Sequence, residues 1–306
     1  MIYLKYYLSV IIWQIFNPFG LYQSFLQNFG QVISILRSFF AKEIIINTPM
    51  SLPFSGKWKV FNGGVDRLNS HSWNIISQRF AYDFIISGER VKRSDSKRRT
   101  ATDFLTFNEN VYAPKDGIAV EVKNNINDNM RAGSGWIDIR TKDMRGNFII
   151  IKHDKNVYSL LAHLKKGSCL IKKGDFVKRG QIIAKCGNSG HSTQPHVHFQ
   201  VQDTANWYFS KGLPIIFTDI YKSNIDNGKT EYLKQTYIAR NDTVSNANFN
   251  NLNGHGKTEI NLSKDLKNPF VLSIINTFGI LIGGAFIYYT VIKIIIRIMQ
   301  LLIGKI

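Results

Sequence analysis

The sequence holds only two cysteines, Cys169 and Cys186, in 306 residues. Neither belongs to a C-x-x-C pair, which excludes a cysteine-rich structural zinc site and a thioredoxin-type redox motif. Each falls in or beside a predicted strand, leaving two small core residues or a single disulfide as the readings. Acidic residues are also scarce, 21 Asp and Glu against 39 Lys and Arg, for a formal charge of +18. That imbalance suits acidic surroundings: nucleic acid, an anionic membrane surface or an anionic wall polymer. Nucleic acid is set aside as a partner, because no arginine-rich, zinc-finger or aromatic RNA-binding signature accompanies the charge.

Charge of either sign is missing from two stretches. Residues 270–292, FVLSIINTFGILIGGAFIYYTVI, exceed the roughly 20 residues needed to cross the hydrocarbon core as a helix. Lys264 and Lys267 precede this run and Lys293, Arg297 and Lys305 follow it, a slight bias toward a cytoplasmic C-terminus. Residues 6–36 are uncharged too, but Asn17, Pro18, Gly20 and several glutamines interrupt them. Their most apolar part, YYLSVIIWQIF, is too short to span alone and carries no A-x-A cleavage site. It reads as an uncleaved anchor or membrane-embedded segment, with peripheral amphipathic placement as the alternative. The expected organisation is a hydrophobic, membrane-associated segment over 1–43, a folded domain over 44–220, a polar linker over 221–268, and a transmembrane helix with a short basic tail over 269–306.

The folded middle carries short β-branched runs, GIAVEVK (117–123), GNFIIIK (146–152), VYSLLAHL (157–164), GQIIAKC (180–186) and HVHFQVQ (196–202). Turn-forming HDKN, KKGD and GNSG separate them, predicting a mainly β fold with a hairpin over FIIIKHDKNVYSLL. In the last run His196, His198 and Gln200 share one face and Val197, Phe199 and Val201 the other. The polar face is either a solvated surface or a pair of nitrogen ligands. Asp83, in QRFAYDFII, interrupts an apolar strand, where a carboxylate is costly unless paired, hydrogen-bonded or bound to metal. His163 closes another apolar strand, and His71 lies in the loop RLNSHSWN.

Taken in order, RLNSHSWN, QRFAYDF, VYAPKDGIA, GNFIIIKHDKNVYSLLAHL and KKGDFVKRGQIIAKCGNSGHSTQPHVHF resemble the lysostaphin/LytM-type zinc metalloendopeptidases, which cut peptide bonds in bacterial peptidoglycan. The resemblance covers roughly Leu52 to Asp203. It implies a duplicated hybrid motif fold, an antiparallel β-sheet with a substrate groove, and one Zn2+ per domain. Carried over residue by residue, it makes His71, Asp83 and His198 the zinc ligands and His163 and His196 the assisting catalytic histidines. Many members separate the first His from the Asp by three residues, whereas here His71 and Asp83 are twelve apart. The resemblance implies a peptidoglycan peptide substrate, while the uncharged segments point to membrane lipid and the positive charge to anionic wall polymer as further partners. The implied location is the bacterial cell membrane with the peptidase domain extracytoplasmic. Some members have lost ligands and act as scaffolds or activators of other wall enzymes, and a filled ligand set separates the two classes.

Overall fold

The computed structural model describes residues 2–40, 48–87, 99–223, 229–247 and 257–259. All belong to one of the two units into which the chain divides, Met1–Leu266. The transmembrane helix expected within 269–306 lies outside the described residues, and among those described no helix is long and apolar enough to cross a membrane.

Two helices, α1 (Ile2–Phe16) and α2 (Pro18–Phe40), precede the strands β1 (Thr48–Met50), β2 (Trp58–Gly63), β3 (Tyr82–Ile85), β4 (Asn110–Tyr112) and β5 (Gly117–Lys123). There follow β6 (Asn147–Asp154), β7 (Val157–Leu164), β8 (Phe176–Val177), β9 (Ile182–Lys185) and β10 (Val197–Gln202). The last are β11 (Gly212–Leu213), β12 (Ile215–Ser223), β13 (Thr230–Thr236), β14 (Thr243–Asn246) and β15 (Lys257–Glu259). A 13-stranded sheet runs β15-β13-β12-β14-β2-β3-β10-β7-β6-β5-β8, with β1 added to β12 and β11 to β10, while β4 and β9 pair separately. Neighbours are antiparallel except β1 with β12 and β13 with β15. The mainly β expectation and the β6–β7 hairpin both hold. His153, expected in a turn, is instead the penultimate residue of β6.

Alternation along β10 sends Val197, Phe199 and Val201 into the main core with Phe84, Ile149 and Leu161. The opposite face of the sheet buries Phe148, Ile150, Leu160 and Ala162 with Trp207. The central strands are thus covered on both sides, which is why FIII reads as an unbroken apolar run. Burying each such side chain is worth about 1.5–3 kcal/mol. Cys186 is buried and Cys169 half-buried, and both thiols are free, so the core reading applies and no disulfide joins them.

Two expectations need correcting. The polar linker over 221–268 contains the end of β12 and all of β13, β14 and β15, with Leu233 and Val244 buried in the main core. A strand that joins an existing sheet needs few apolar residues, because the core is already built by its neighbours. The N-terminal segment, expected as an anchor or a membrane-embedded stretch, is a helical hairpin docked on the loop over 139–144 and on the short helices Ile76–Gln78 and Trp207–Phe209. Asn17 turns the corner, its Oδ1 accepting from the Phe19 amide at 2.9 Å, with Pro18 in the first helical position. A Cβ on Gly20 would come within 2.3 Å of the Trp13 carbonyl oxygen, and one on Gly30 within 1.9 Å of the Tyr208 carbonyl oxygen. Both glycines therefore mark close backbone approaches.

Candidate metal centre

The centre is assembled from adjacent strands. β3 pairs with β10 so that Asp83 lies directly opposite His198, and residues opposed across an antiparallel pair share a face within side-chain reach. His71 comes from the loop between β2 and β3. Asp66 holds that loop, accepting at Oδ1 from the amides of Leu68 and Asn69, both at 3.0 Å. The Ser70 hydroxyl donates to the Arg79 carbonyl at 2.6 Å, tying the loop to the entrance of β3. One ligand atom each from His71, Asp83 and His198 falls within 4.8 Å of the others. The twelve-residue separation in sequence is therefore spanned by a compact, anchored loop.

His163 reaches the same place by a bulge. Ala162 opposes His198, so simple alternation would turn His163 away from it. The β6–β7 register shifts between Asn147 and Ile149, and His163 adopts φ 59°, a left-handed conformation rare for a side chain other than Gly, Asn, Asp or His. The extra residue re-aims the imidazole. Its ring centroid lies 4.7 Å from that of His196 and 5.8 Å from that of His198.

Hydrogen bonds assign the tautomers. His163 Nδ1 lies 2.8 Å from the Ser189 carbonyl oxygen and His196 Nδ1 2.9 Å from that of Gln194. A carbonyl only accepts, so both Nδ1 atoms carry hydrogen and both Nε2 atoms keep a lone pair. His198 is arranged in reverse. Gln200 Nε2 donates to the Ser77 carbonyl at 3.0 Å and to Gln202 Oε1 at 2.7 Å, which leaves Gln200 Oε1 to accept from His198 Nε2 at 3.0 Å. The His198 Nδ1 lone pair is then aimed at Asp83 Oδ1, 3.0 Å away.

Asp83 is consequently ringed by nitrogens: His198 Nδ1 at 3.0 Å, His71 Nε2 at 3.1 Å and His196 Nε2 at 3.5 Å. Lone pairs turned toward a carboxylate repel unless a cation lies among them, so the donor set fits a bound metal ion. Burial works against a charged Asp83, yet in the metal-free site the positive charge and hydrogen bonds that His71, His196 and His198 can offer hold its carboxyl well below the ordinary carboxylate range. Burial, and then His196 and His198, push His163 well below the ordinary imidazole range. Two nitrogens and a carboxylate oxygen are the ligands of many catalytic zinc sites, which keep a further position for water. Zinc is the metal that this set fits.

Residues 97–209 match peptidase family M23. Over these residues the chain resembles that family. ShyB of Vibrio cholerae, a peptidoglycan DD-endopeptidase, is 34% identical over 127 residues, covering 40% of this chain and 25% of that protein. Lysostaphin of Staphylococcus simulans is 46% identical over 67 residues, covering 22% of this chain and 13% of that protein. The chain thus spans a quarter or less of the length of these relatives. Among solved structures, a zinc-containing peptidase from Vibrio cholerae has a TM-score of 0.33 and 21% identity, covering 55% of this chain and 41% of that one.

The M23 match contains His163, His196 and His198 but begins beyond His71 and Asp83. Those two join the centre through the strand register and the anchored loop. All five residues expected from the sequence come together, and the structure adds positioning residues that were not foreseen. Gln200 orients His198, Trp207 Nε1 approaches Gln200 Oε1 at 3.4 Å, and Ser189 and Gln194 hold the other two imidazoles through their carbonyls. Alternation placed Gln200 on the histidine face, but its partners Ser77 and Trp207 come from remote segments that no local pattern connects to it.

Proposed function

We propose that this protein is a zinc metalloendopeptidase that hydrolyses peptide bonds of bacterial cell-wall peptidoglycan. We further propose that it is held at the membrane with the peptidase domain outside the cytoplasm. The observation that carries the catalytic reading is the opposed tautomers. His71 Nε2, Asp83 and His198 Nδ1 converge as ligands, while His163 and His196 turn Nε2 lone pairs inward beside them. Bound zinc supplies Lewis acidity and lowers the pKa of its water to about 7. His163, kept neutral by burial, is ready to take a proton from the attacking water, and His196 stands beside the carboxylate to share that role. Once protonated, the pair can stabilise the developing oxyanion and return the proton to the departing amine. Asp83 remains an anion, as a ligand must.

The completeness of this set favours an enzyme over the ligand-deficient scaffolds that the family also contains. The membrane placement is supported by the uncharged run over 270–292, and the charge of +18 suits anionic wall polymer and lipid headgroups. The test is zinc analysis of the purified full chain together with digestion of isolated peptidoglycan, new amino groups being counted. About one zinc per chain and cleavage, both lost in Asp83→Ala, are expected. Stoichiometric zinc without cleavage would replace the enzyme by a scaffold. Reporter fusions after Lys267 address topology, and a cytoplasmic reporter there would contradict a wall substrate.

A further inference from the structure

The N-terminal hairpin is inside out for a helix packed on a soluble domain. Its polar residues face the loops and short helices of the domain. Gln23 Nε2 donates to the Lys142 carbonyl at 2.7 Å and Gln23 Oε1 accepts from the Met144 amide at 3.0 Å. Gln27 Nε2 donates to Ser77 Oγ at 3.3 Å, and Gln31 Oε1 accepts from the Ile76 amide at 3.0 Å. A spacing of four puts these three glutamines on one stripe of α2. At the corner, Trp13 Nε1 donates to the Thr141 carbonyl at 2.9 Å and Asn17 Nδ2 to the Ile139 carbonyl at 3.0 Å. The glutamines that break the apolar run in the sequence are the docking face.

Apart from buried Trp13 and Ile35, many of the large apolar residues point outward. Tyr7, Ile11, Phe16, Tyr22, Phe25 and Phe29 are 48–78% exposed, a concentration of large apolar side chains of the kind that marks an interaction surface. The loop that cradles the hairpin extends it with exposed Trp136 and Ile139. Around this surface the charge is positive. Residues 2–40 contain no Asp or Glu, the Arg140 side chain is 89% exposed and pairs with Asp138 at 3.3 Å, and the Lys142 ammonium lies 5.8 Å from the Phe19 ring.

We infer that the outer face of α1 and α2, with Trp136 and Ile139, lies on an anionic lipid bilayer, its side chains entering the headgroup and acyl boundary while the glutamine stripe grips the peptidase domain. Apolar side chains, tyrosines, a tryptophan and neighbouring cations form the pattern of an interfacial helix. A second copy is a poorer occupant, because two chains each carrying +18 repel. The uncharged run over 270–292 would bring the same chain to the same membrane. The hairpin thus lies along the bilayer, where the sequence left spanning and lying as alternatives.

The inference rests on the membrane placement proposed above and is independent of hydrolysis. Its test uses the full chain with Cys169→Ser and Cys186→Ala, carrying Phe25→Cys labelled with bimane. A matching label at Leu170→Cys serves as control, since Leu170 is 70% exposed and outside the hairpin contacts. In phosphatidylcholine vesicles containing phosphatidylglycerol, the label at 25 is expected to shift to the blue and to be quenched by acyl-chain nitroxide lipid. The label at 170 is expected to do neither. A chain that floats with the vesicles but leaves position 25 unquenched overturns the inference and spares the membrane placement. A chain that does not float overturns both. Disulfide cross-linking of two unlabelled Phe25→Cys chains, without quenching of the labelled one, would assign the face to a second copy and also overturn it.

Discussion

His163 depends on its backbone as much as on its imidazole. At φ 59° asparagine is tolerated and a β-branched residue is not, so two substitutions separate chemistry from folding. His163→Asn should keep the bulge and the zinc while lowering kcat about 10²- to 10⁴-fold, the usual worth of a general base, as read by turnover beside metal analysis. His163→Val should in addition cost about 1–3 kcal/mol of stability through the strained conformation, visible as a lower urea midpoint. Gln200 supplies a second prediction at this scale. Gln200→Leu would leave His198 Nε2, the Ser77 carbonyl and Gln202 Oε1 short of a partner. Zinc affinity should fall about 10- to 100-fold, measured by competition with a chromogenic chelator, and folding should weaken by about 1–3 kcal/mol. Asp83, His163, His196 and His198 were legible because such groups stand out in apolar strands, whereas His71, in a loop, was reached only through the family resemblance. Gln200 was not, because its role depends on which way its amide is turned.

Among the elements, those built on period-two alternation or on long apolar runs could be read from the sequence, and the sheet's far end could not. β10 and the β6–β7 hairpin announce themselves because both faces of the central sheet are buried. β13, TEYLKQT, buries Leu233 as its one large apolar side chain, and its partner β12, with Phe217 and Ile220 buried, supplies what the strand lacks. The same holds for α2, whose glutamines look like defects until a surface is found for them. Leu233→Ala should destabilise the domain by about 2–5 kcal/mol, as expected for a fully buried leucine. A chain ending at 220 removes β13, β14, β15 and part of β12, and it should fail to give a cooperative melt. If residues 1–220 melt cooperatively, the three removed strands are dispensable.

For the molecule as a whole, three histidines kept neutral by the fold govern its response to acid. Burial pushes His191, which packs against Trp13 with ring centroids 4.0 Å apart, down to about 3. Burial likewise takes His153 to about 4, and His163 lies well below the ordinary 6.5. In the unfolded chain each protonates near 6.5, so below that pH the unfolded state binds more protons and stability falls. Each histidine contributes a loss of at most about 1.4 kcal/mol per pH unit, beginning near 6.5 and levelling off only below its folded value. Asp83 acts lower on the scale: held below its ordinary 3.8, it keeps its contribution above that pH and loses it beneath. The urea midpoint of chelator-stripped protein should therefore fall continuously from pH 7 to pH 4. His153→Gln, which can still donate to the Asp116 carbonyl that His153 Nδ1 meets at 2.8 Å, should remove one part of that slope between about 6.5 and about 4 and leave the rest. A midpoint that stays level across this window would mean that the three imidazoles take up protons without unfolding, and the buried, neutral description of them would have to be given up.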